Sequence, residues 1–206
     1  VRERCSGVIS LKSRREMRLM RAAGVVVAEA HQAAARLIRP GVTTREIDAA
    51  VAEVFQRHEA EPLFLGFPGK VPFPAVTCTS LNDQIVHGIP GETPLQEGDI
   101  LSLDTGCRMG GWCADSAWTY AVGEVDPLKR RLMQVGRELL RVAITGLAEC
   151  RRWAEVAQRM TALSRTEGFS LVEQFVGHAI GREMHESPQV PNHYDSDASM
   201  DFEIRP

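Results

Sequence analysis

The sequence predicts an α+β fold in which helices and antiparallel strands intermix within one domain. Two segments, starting at Ser13 and Thr43, carry helix-capping signals followed by apolar residues at helical spacing. Between residues 100 and 120, two strand-like runs flank Gly110-Gly111, a pair that supplies the positive φ angles of a hairpin turn. No low-complexity segment or linker divides the 206 residues, a length that suits one sizeable core.

Composition and charge argue against several classes of function. The chain is 44% hydrophobic and 25% charged, as is ordinary for a globular protein, and its net charge of −3 gives no reason to expect nucleic acid or an acidic membrane surface as a partner. No apolar run approaches the ~20 residues of a membrane span, and the first four residues lack the apolar stretch of a signal peptide. The five cysteines have no metal-knuckle spacing and fit the reduced thiols of a cytoplasmic protein.

Two scaffold helices are predicted in the first quarter of the chain. The first begins at the capping box Ser13–Glu16 and ends before Pro40-Gly41. The second begins at the capping box Thr43–Glu46. Both carry apolar stripes at helical spacing, which indicates that they pack on the core and serve as scaffold.

A stiff aromatic loop and a displayed histidine are predicted next. Residues 61–75 are rich in proline and glycine and carry phenylalanines, including Phe67 and Phe73, which suits a pocket wall and equally suits packing over the core. A short strand over residues 76–80 and a turn follow. His87 then lies between a strand and a turn, where catalytic groups are often displayed, although a lone histidine is more often a surface or core residue.

Two aspartates of the predicted hairpin form the first candidate site. If the turn is centred between residues 109 and 110, Asp104 and Asp115 lie directly opposite on one face, with Cβ atoms about 5 Å apart. Such a pair is tolerated when one carboxyl is protonated or when a cation lies between them. Solvated turn residues are the simpler alternative. The same register puts Cys107 and Cys113 on opposite faces, which disfavours a disulfide.

The second half of the chain predicts two helices, a strand and a display of histidines. One helix starts at Asp126-Pro127 and runs to about residue 149, and another covers residues 153–167. Residues 169–176 are expected to form a strand. The glycine-flanked segment that follows carries two histidines before two prolines, which predicts a strand-to-loop display and excludes the helical His-Glu-x-x-His arrangement.

The polar side chains that these predicted strands present form one constellation: His87, Asp104, Asp115, His178 and His185. Two carboxylates and a histidine suit manganese, iron, cobalt or zinc better than calcium or copper. A carboxylate can also bridge two metal ions about 3.5–4 Å apart, a pair that activates water and polarises a carbonyl.

From about Ile9 to its end, the chain resembles the type I methionine aminopeptidases of the pita-bread fold. The matching stretches are Ala22-Ala23-Gly24, Arg39 to Thr44, Asn82 to Gly88, Asp99 to Gly106 with Asp115-Ser116, Gly177-His178, and His185 to Val190. The resemblance implies a curved antiparallel sheet backed by helices, with a centre of two divalent metal ions: cobalt, manganese, iron or zinc. It further implies an extension of about 12 residues at the N-terminus.

The resemblance also assigns roles to individual residues. It implies that Asp104, Asp115 and His178 are metal ligands. His87 matches the histidine that contacts the substrate amine region and assists proton movement, and His185 matches the one that hydrogen-bonds the scissile peptide. The positions that match the methionine pocket, or lie near it, are Cys78, Phe73, Phe67 and Met184.

The sequence departs from the family pattern at its end. The resemblance implies two glutamate ligands that have no counterpart before Pro206, and Glu203 aligns with neither. We therefore expect residues 1–206 to form a single metallopeptidase-like domain that lacks the last strands of the family fold. We also expect the chain as given to be inactive or nearly so.

The function implied by the resemblance is metal-dependent removal of the N-terminal methionine from nascent proteins and peptides. The expected protein is a cytoplasmic monomer with no membrane partner and no direct nucleic-acid partner, and a ribosome contact is left open. A proline-directed aminopeptidase of the same fold is one alternative, which the cysteine-and-phenylalanine pocket disfavours. A non-catalytic pita-bread module that binds peptides or proteins is another, favoured by the missing glutamates and disfavoured by the retained aspartates and histidines.

Overall fold

The computed structural model describes residues 9–194 and 200–205. Its described residues pack as two compact units, which we call the hairpin unit, Leu11–Pro127 with Ile180–Met184, and the helical unit, Leu128–Ala179 with residues 9–10, 185–194 and 200–205. Because two compact units can belong to one domain, the single-domain organisation stays a prediction. Residues 1–8 of the predicted N-terminal extension lie outside the described residues.

The hairpin unit combines two helices with a four-stranded antiparallel sheet. Its elements are α1 Arg14–Leu37, α2 Thr44–Arg57, β1 Glu61–Pro62, β2 Thr77–Leu81, β3 Ile100–Met109 and β4 Trp112–Ala121. β3 is the central strand: β4 pairs along its whole length, whereas β1 and β2 pair with successive parts of its other edge.

Both predicted capping boxes are confirmed. The Ser13 hydroxyl accepts a hydrogen bond from the Glu16 amide and the Glu16 carboxylate accepts one from the Ser13 amide, and Thr43 and Glu46 do the same at the start of α2. Both helices contribute apolar residues to one core with the sheet. The fully buried members of that core include Ala23, Ala30, Ala34, Ile47, Val51, Leu101, Leu103 and Val122.

The β3–β4 hairpin is closed by a two-residue turn. Gly110 and Gly111 have φ angles of 58° and 77°, and Met109 pairs with Trp112 across the turn. The turn centre therefore lies between the two glycines, one residue beyond the predicted position. Each residue of β3 therefore pairs with a β4 residue two positions further along the chain than predicted. A shift of two residues keeps every side chain on its predicted face of the sheet.

The helical unit contains α3 Pro127–Glu149, whose first residue belongs to the hairpin unit, α4 Trp153–Thr166, and a two-stranded ribbon of β5 Gly177–Ala179 and β6 Glu186–Val190. The start of α3 and the end of α4 before Gly168 are as predicted. The predicted strand over residues 169–176 is wrong. An apolar run becomes a strand only where a neighbour supplies hydrogen bonds, and here β6 pairs with residues 177–179 alone.

Trp153 is the centre of the helical unit's core. It is buried, stacks on Phe202 with ring centroids 5.7 Å apart, and donates its indole N–H to the Pro191 carbonyl at 2.8 Å. Leu128 and Leu132 on the first turns of α3 are exposed. Among the described residues, no helix is both long and apolar enough to cross a membrane.

Candidate metal centre and substrate pocket

Asp104 and Asp115 lie on the same face of the hairpin, as predicted, but they are not directly opposite. Asp104 pairs with Ala117 and Asp115 pairs with Gly106, so the carboxylates are diagonal neighbours. The expected direct pairing is wrong because the two turn residues are Gly110 and Gly111, which moves the turn centre one residue beyond the predicted position. Diagonal side chains on one face are about 7–8 Å apart at Cα, which still allows two carboxyl groups to meet.

The two carboxyl groups are close enough to change the pKa of Asp115. Burial, the charge of Asp104 and a side-chain hydrogen bond with Asp104 together raise the pKa of Asp115 to about 8. A carboxyl group in this position is stabilised by a shared proton or by a cation. Carboxylate oxygens are also what divalent cations bind, so this donor pair fits a metal ion.

An apolar cluster adjoins the aspartate pair on the neighbouring strand. Cys78 of β2 pairs directly with Asp104 of β3. Its side chain packs with Phe64 and Met184 in a buried cluster, against which Leu63 and Phe73 also pack. The structure thus brings together three of the four predicted pocket residues. Phe67, the fourth, is 42% exposed and is not part of the cluster.

The cluster also contains a residue that sequence reasoning missed. Phe64 is buried at its centre, with 8% of its surface exposed. The predicted aromatic loop contained Phe64, but nothing in the local sequence distinguishes it from its exposed neighbour Phe67.

Met184 reaches the cluster because hydrogen bonds hold the segment Ile180–Met184 against the β3–β4 hairpin. The Cys113 amide donates to the Gly181 carbonyl at 2.7 Å, and the Cys113 thiol donates to the Arg182 carbonyl at 3.3 Å. The Arg182 guanidinium lies 4.3 Å from the centroid of Trp112, a cation–π contact. These contacts join a late segment of the chain to the strands that carry both aspartates.

The Cys78 thiol is held in its neutral form. Burial and the charges of Asp104, Asp115 and Asp48 raise the pKa of this thiol to about 12. A protonated thiol is an apolar, polarisable wall and a poor nucleophile, so this cysteine suits a binding surface better than a reactive centre.

His87 is exposed on the loop that follows β2, with a φ angle of 60°. The loop is tied to that strand by two hydrogen bonds, from the Thr79 amide to the Gly88 carbonyl at 2.7 Å and from the Gly88 amide to the Ser80 hydroxyl at 3.1 Å. A Cβ atom at Gly88 would lie 2.1 Å from the Thr79 carbonyl oxygen, so glycine is required there. The strand and its loop therefore hold His87 in a left-handed conformation.

His178 and His185 lie together in the helical unit, on β5 and directly before β6 respectively. Their rings are 4.3 Å apart between centroids, at an angle of 69°. The His178 Nδ1–H donates to the Ala179 carbonyl at 3.1 Å, which puts the lone pair on Nε2, the arrangement common in metal-binding histidines. Burial, and after it the electrostatic effect of the adjacent His178 ring, lowers the pKa of His185, which favours its neutral form.

His31 of α1 is a second residue that sequence reasoning missed. Its Nε2–H donates to the carbonyl of Ser116, the residue after Asp115, at 3.0 Å, and its Nδ1 is 3.0 Å from the Tyr120 hydroxyl. The ring therefore ties α1 to the strand that carries Asp115. Its partners lie 85 and 89 residues away along the chain, so no local pattern indicates the contact.

The predicted ligand set divides between the two units, with both aspartates in the hairpin unit and His178 in the helical unit. Within residues 9–194 and 200–205, no group of three or more histidine, cysteine, aspartate or glutamate side chains is arranged to hold a metal ion. Ligation by all three residues stays a prediction.

Comparison with known proteins identifies the class of this fold and site. Residues 18–206 match the model of metallopeptidase family M24, and the chain belongs to that family. It is similar to methionine aminopeptidase 1 of Bacillus subtilis, with 36% identity over 187 residues that cover 91% of this chain and 74% of the relative. The methionine aminopeptidase of Clostridium perfringens is 37% identical over 185 residues, 90% of this chain and 73% of that protein.

The fold is shared with solved structures as well. The crystal structure of the methionine aminopeptidase from Thermotoga maritima superimposes with a TM-score of 0.84 and 34% identity, covering 91% of this chain and 75% of that one. The predicted α+β pita-bread fold and the predicted class, a metallo-exopeptidase, are thereby confirmed.

Proposed function

We propose that this metallopeptidase removes the N-terminal methionine from peptides and nascent proteins. The observation that carries the proposal is the buried cluster of Phe64, Cys78 and Met184, with Phe73 against it, one strand away from the aspartate pair. Two similar proteins are named methionine aminopeptidases and are 36% and 37% identical to this chain over the aligned residues.

The cluster has the chemistry that a methionine side chain requires. Methionine is unbranched and carries a polarisable thioether, which gains from contact with aromatic rings and sulfur. Phe64 and Phe73 supply the rings, and the neutral thiol of Cys78 adds a polarisable surface without a charge that would repel the thioether. A β-branched or charged side chain would fit this lining less well.

Metal binding is proposed for Asp104, Asp115 and His178, with two divalent ions drawn from cobalt, manganese, iron or zinc. The raised pKa of Asp115 supports this assignment because a cation removes the repulsion between the two carboxylates. The Nδ1–H bond of His178 supports it by fixing the lone pair on Nε2. Bound divalent metal would supply Lewis acidity toward a peptide carbonyl and lower the pKa of water.

The remaining histidines are proposed to bind and orient the peptide. His185 is kept neutral by burial and by its neighbour His178, so it can donate a hydrogen bond to the oxygen of the scissile peptide as charge develops there. His87, displayed at the end of a rigid loop, is assigned to the substrate amine, where it accepts a proton or a hydrogen bond.

The cellular setting is also part of the proposal. We place the protein in the cytoplasm as a monomer that meets its substrates as they are synthesised. The described cysteines support a reducing compartment, since Cys78, Cys107, Cys113 and Cys150 are all free thiols.

A peptide-cleavage assay tests the proposal. Met-Ala-Ser and the matched Val-Ala-Ser are incubated with manganese or cobalt, using both the 206-residue chain and the longest product of its gene. Release of free methionine by that longest product, at a rate at least tenfold above release of valine, supports the proposal. Cleavage that EDTA leaves intact, or equal rates for the two peptides, overturns it.

Site variants separate catalysis from mere peptide binding. Asp115→Asn and His178→Ala are each expected to reduce cleavage by a factor of about 10³. Elemental analysis should find bound metal in the parent protein and less in both variants. A parent protein that binds Met-Ala-Ser but holds no metal and releases no methionine would instead be a non-catalytic binding module.

A further inference from the structure

His31 of α1 contacts the strand that carries Asp115 at two points. Its ring Nε2 lies 3.0 Å from the Ser116 carbonyl oxygen, and its Nδ1 lies 3.0 Å from the Tyr120 hydroxyl. The same hydroxyl lies 3.3 Å from the main-chain carbonyl oxygen of His31, and the two rings stack with centroids 6.2 Å apart. Tyr120 therefore contacts both the ring and the backbone of His31, which limits how the ring can rotate.

These hydrogen bonds determine which ring nitrogen carries the proton. A carbonyl oxygen only accepts, so the Nε2–H donates to Ser116. Burial lowers the pKa of His31, although the Ser116 hydrogen bond and the charge of Asp104 act in the opposite direction, so the ring is neutral at pH 7. The Nδ1 of a neutral ring is then an acceptor, and the Tyr120 hydroxyl donates to it. A neutral ring with its proton on Nδ1 could not donate to Ser116.

The part of β4 around Asp115 has few other supports. In the part of the chain that the structure describes, β4 pairs only with β3. The residue opposite Asp115 is Gly106, which has no side chain to pack against the carboxyl group. Residues 116–118 are exposed, so side-chain packing restrains them little. The hydrogen bond from His31 therefore restrains the backbone one residue from the aspartate, on a strand that is paired along one edge.

We propose that His31 is a positioning residue: through the Ser116 carbonyl it fixes the backbone that carries Asp115, so that this carboxylate keeps the orientation that a divalent metal ion requires. This role rests on the proposed function, in which Asp115 is a metal ligand. Groups that orient metal ligands contribute about 10- to 100-fold to metal affinity or activity. Because His31 acts through the main chain, we expect an effect at the lower end of that range, about tenfold.

A purely structural role for His31 makes a different prediction. If the ring only packs α1 on the sheet, its loss lowers the stability of the fold and leaves the metal affinity of the folded protein unchanged. His58 at the end of α2 is the matched control. It is half-buried like His31 and also contacts α1, with its Nε2 2.7 Å from the Glu29 carboxylate.

Isothermal titration calorimetry of the metal-free 206-residue chain with Mn²⁺ tests the proposal. His31→Phe keeps a ring but removes both nitrogens, and it should weaken Mn²⁺ binding about tenfold. His31→Gln keeps an N–H donor for the Ser116 carbonyl and should bind Mn²⁺ within about threefold of the parent. Equal weakening by the Phe and Gln variants, or by His31→Phe and His58→Phe, overturns the proposal.

The ring tautomer gives a second readout, which does not depend on metal. Nitrogen-15 NMR of the metal-free protein should show His31 protonated at Nε2 and unprotonated at Nδ1, and a proton on Nδ1 overturns the proposal. Circular dichroism checks that each variant folds. Tyr120→Phe removes only the hydroxyl that orients the ring and should weaken Mn²⁺ binding about threefold. If His31→Phe does not fold, parent-like Mn²⁺ binding by Tyr120→Phe overturns the proposal in its place.

Asp115→Asn distinguishes failure of this inference from failure of the proposed function. Weaker Mn²⁺ binding by Asp115→Asn but not by His31→Phe overturns the role of His31 alone. Parent-like Mn²⁺ binding by Asp115→Asn overturns the metal assignment of Asp115 and the role of His31 together. Because no peptide is present, neither result depends on the methionine specificity.

Discussion

Asp115 lies opposite Gly106 across the β3–β4 hairpin, and the glycine leaves room for the carboxylate. A Cβ atom at Gly106 would lie 3.3 Å from the Asp115 Cβ and 2.9 Å from the Ala114 carbonyl oxygen. No side chain therefore lies directly opposite the buried Asp115. Asp104, two residues before Gly106 and on the same face, supplies the second carboxyl group. Gly106 thus allows two carboxyl groups to lie close together, and their proximity lowers the stability of the folded protein.

The first prediction concerns this cost. Asp115→Asn should raise the free energy of unfolding of the metal-free protein by about 1 kcal/mol or more, because it removes a carboxyl group that at neutral pH must take up a proton on folding. Urea denaturation in EDTA measures the change. The exposed turn residue Asp83 provides the matched control, and Asp83→Asn should change stability by less than about 0.5 kcal/mol.

Addition of manganese should reverse the order of stability. A metal that binds only the folded protein stabilises it by mass action, so the parent chain should gain stability and the Asp115→Asn variant should gain less. Equal stabilisation of the two proteins by manganese would contradict the assignment of Asp115 as a ligand.

Local signals predicted much of this fold, and long-range contacts account for what was missed. The capping boxes at Ser13 and Thr43 depend on residues three apart, so the sequence alone locates both helix starts. The hairpin register depends on which residues form the turn. Because the turn lies one residue later than predicted, Asp115 pairs with Gly106 and not with Asp104. The His31 contact with Ser116 joins distant parts of the chain, where no periodic pattern applies.

The second prediction concerns Asp48 of α2, which anchors the start of β2. Its Oδ1 accepts hydrogen bonds from the amides of Val76 and Thr77 and from the Thr77 hydroxyl, at 3.1, 2.8 and 2.7 Å. Asp48→Ala should cost about 2–3 kcal/mol because it leaves buried donors without a charged acceptor. Asp48→Asn keeps an oxygen acceptor and should cost less. Equal losses from the two variants, measured by urea denaturation, would contradict this account.

The third prediction compares two glycines of α3. A Cβ atom at Gly146 would lie 2.8 and 2.9 Å from the methyl carbons of Val156, which is fully buried on α4, whereas nothing lies within 4 Å of a Cβ atom at Gly136. Gly146→Ala should therefore destabilise the protein by about 1–3 kcal/mol through overpacking. Gly136→Ala should stabilise it by about 0.5–1 kcal/mol through helix propensity. Thermal unfolding of the two variants should shift in opposite directions.

The fourth prediction concerns a helix cap supplied from a distance. Arg152 at the start of α4 makes no side-chain capping bond, and the Asp201 carboxylate takes that role: it accepts a hydrogen bond from the Ala154 amide at 2.9 Å and pairs with the Arg152 guanidinium at 2.5 Å. Burial tends to raise the pKa of Asp201, but these hydrogen bonds and the Arg152 charge outweigh it and hold the pKa below its usual range. Asp201→Asn should cost about 1 kcal/mol at pH 7.

The sign of the pH dependence follows from that lowered pKa. A carboxyl group whose pKa is lower in the folded state contributes stability above its unfolded pKa, and that contribution disappears as the pH falls through the folded value. The stability difference between the parent and Asp201→Asn should therefore be constant from pH 7 to about pH 5 and shrink below about pH 4. Glu203→Gln is the control, since Glu203 is exposed and its ion pair with Arg205 is solvent-screened, so it should change little at any pH. A parent–variant difference that persists unchanged at pH 3 would show that the Asp201 charge contributes nothing to the cap.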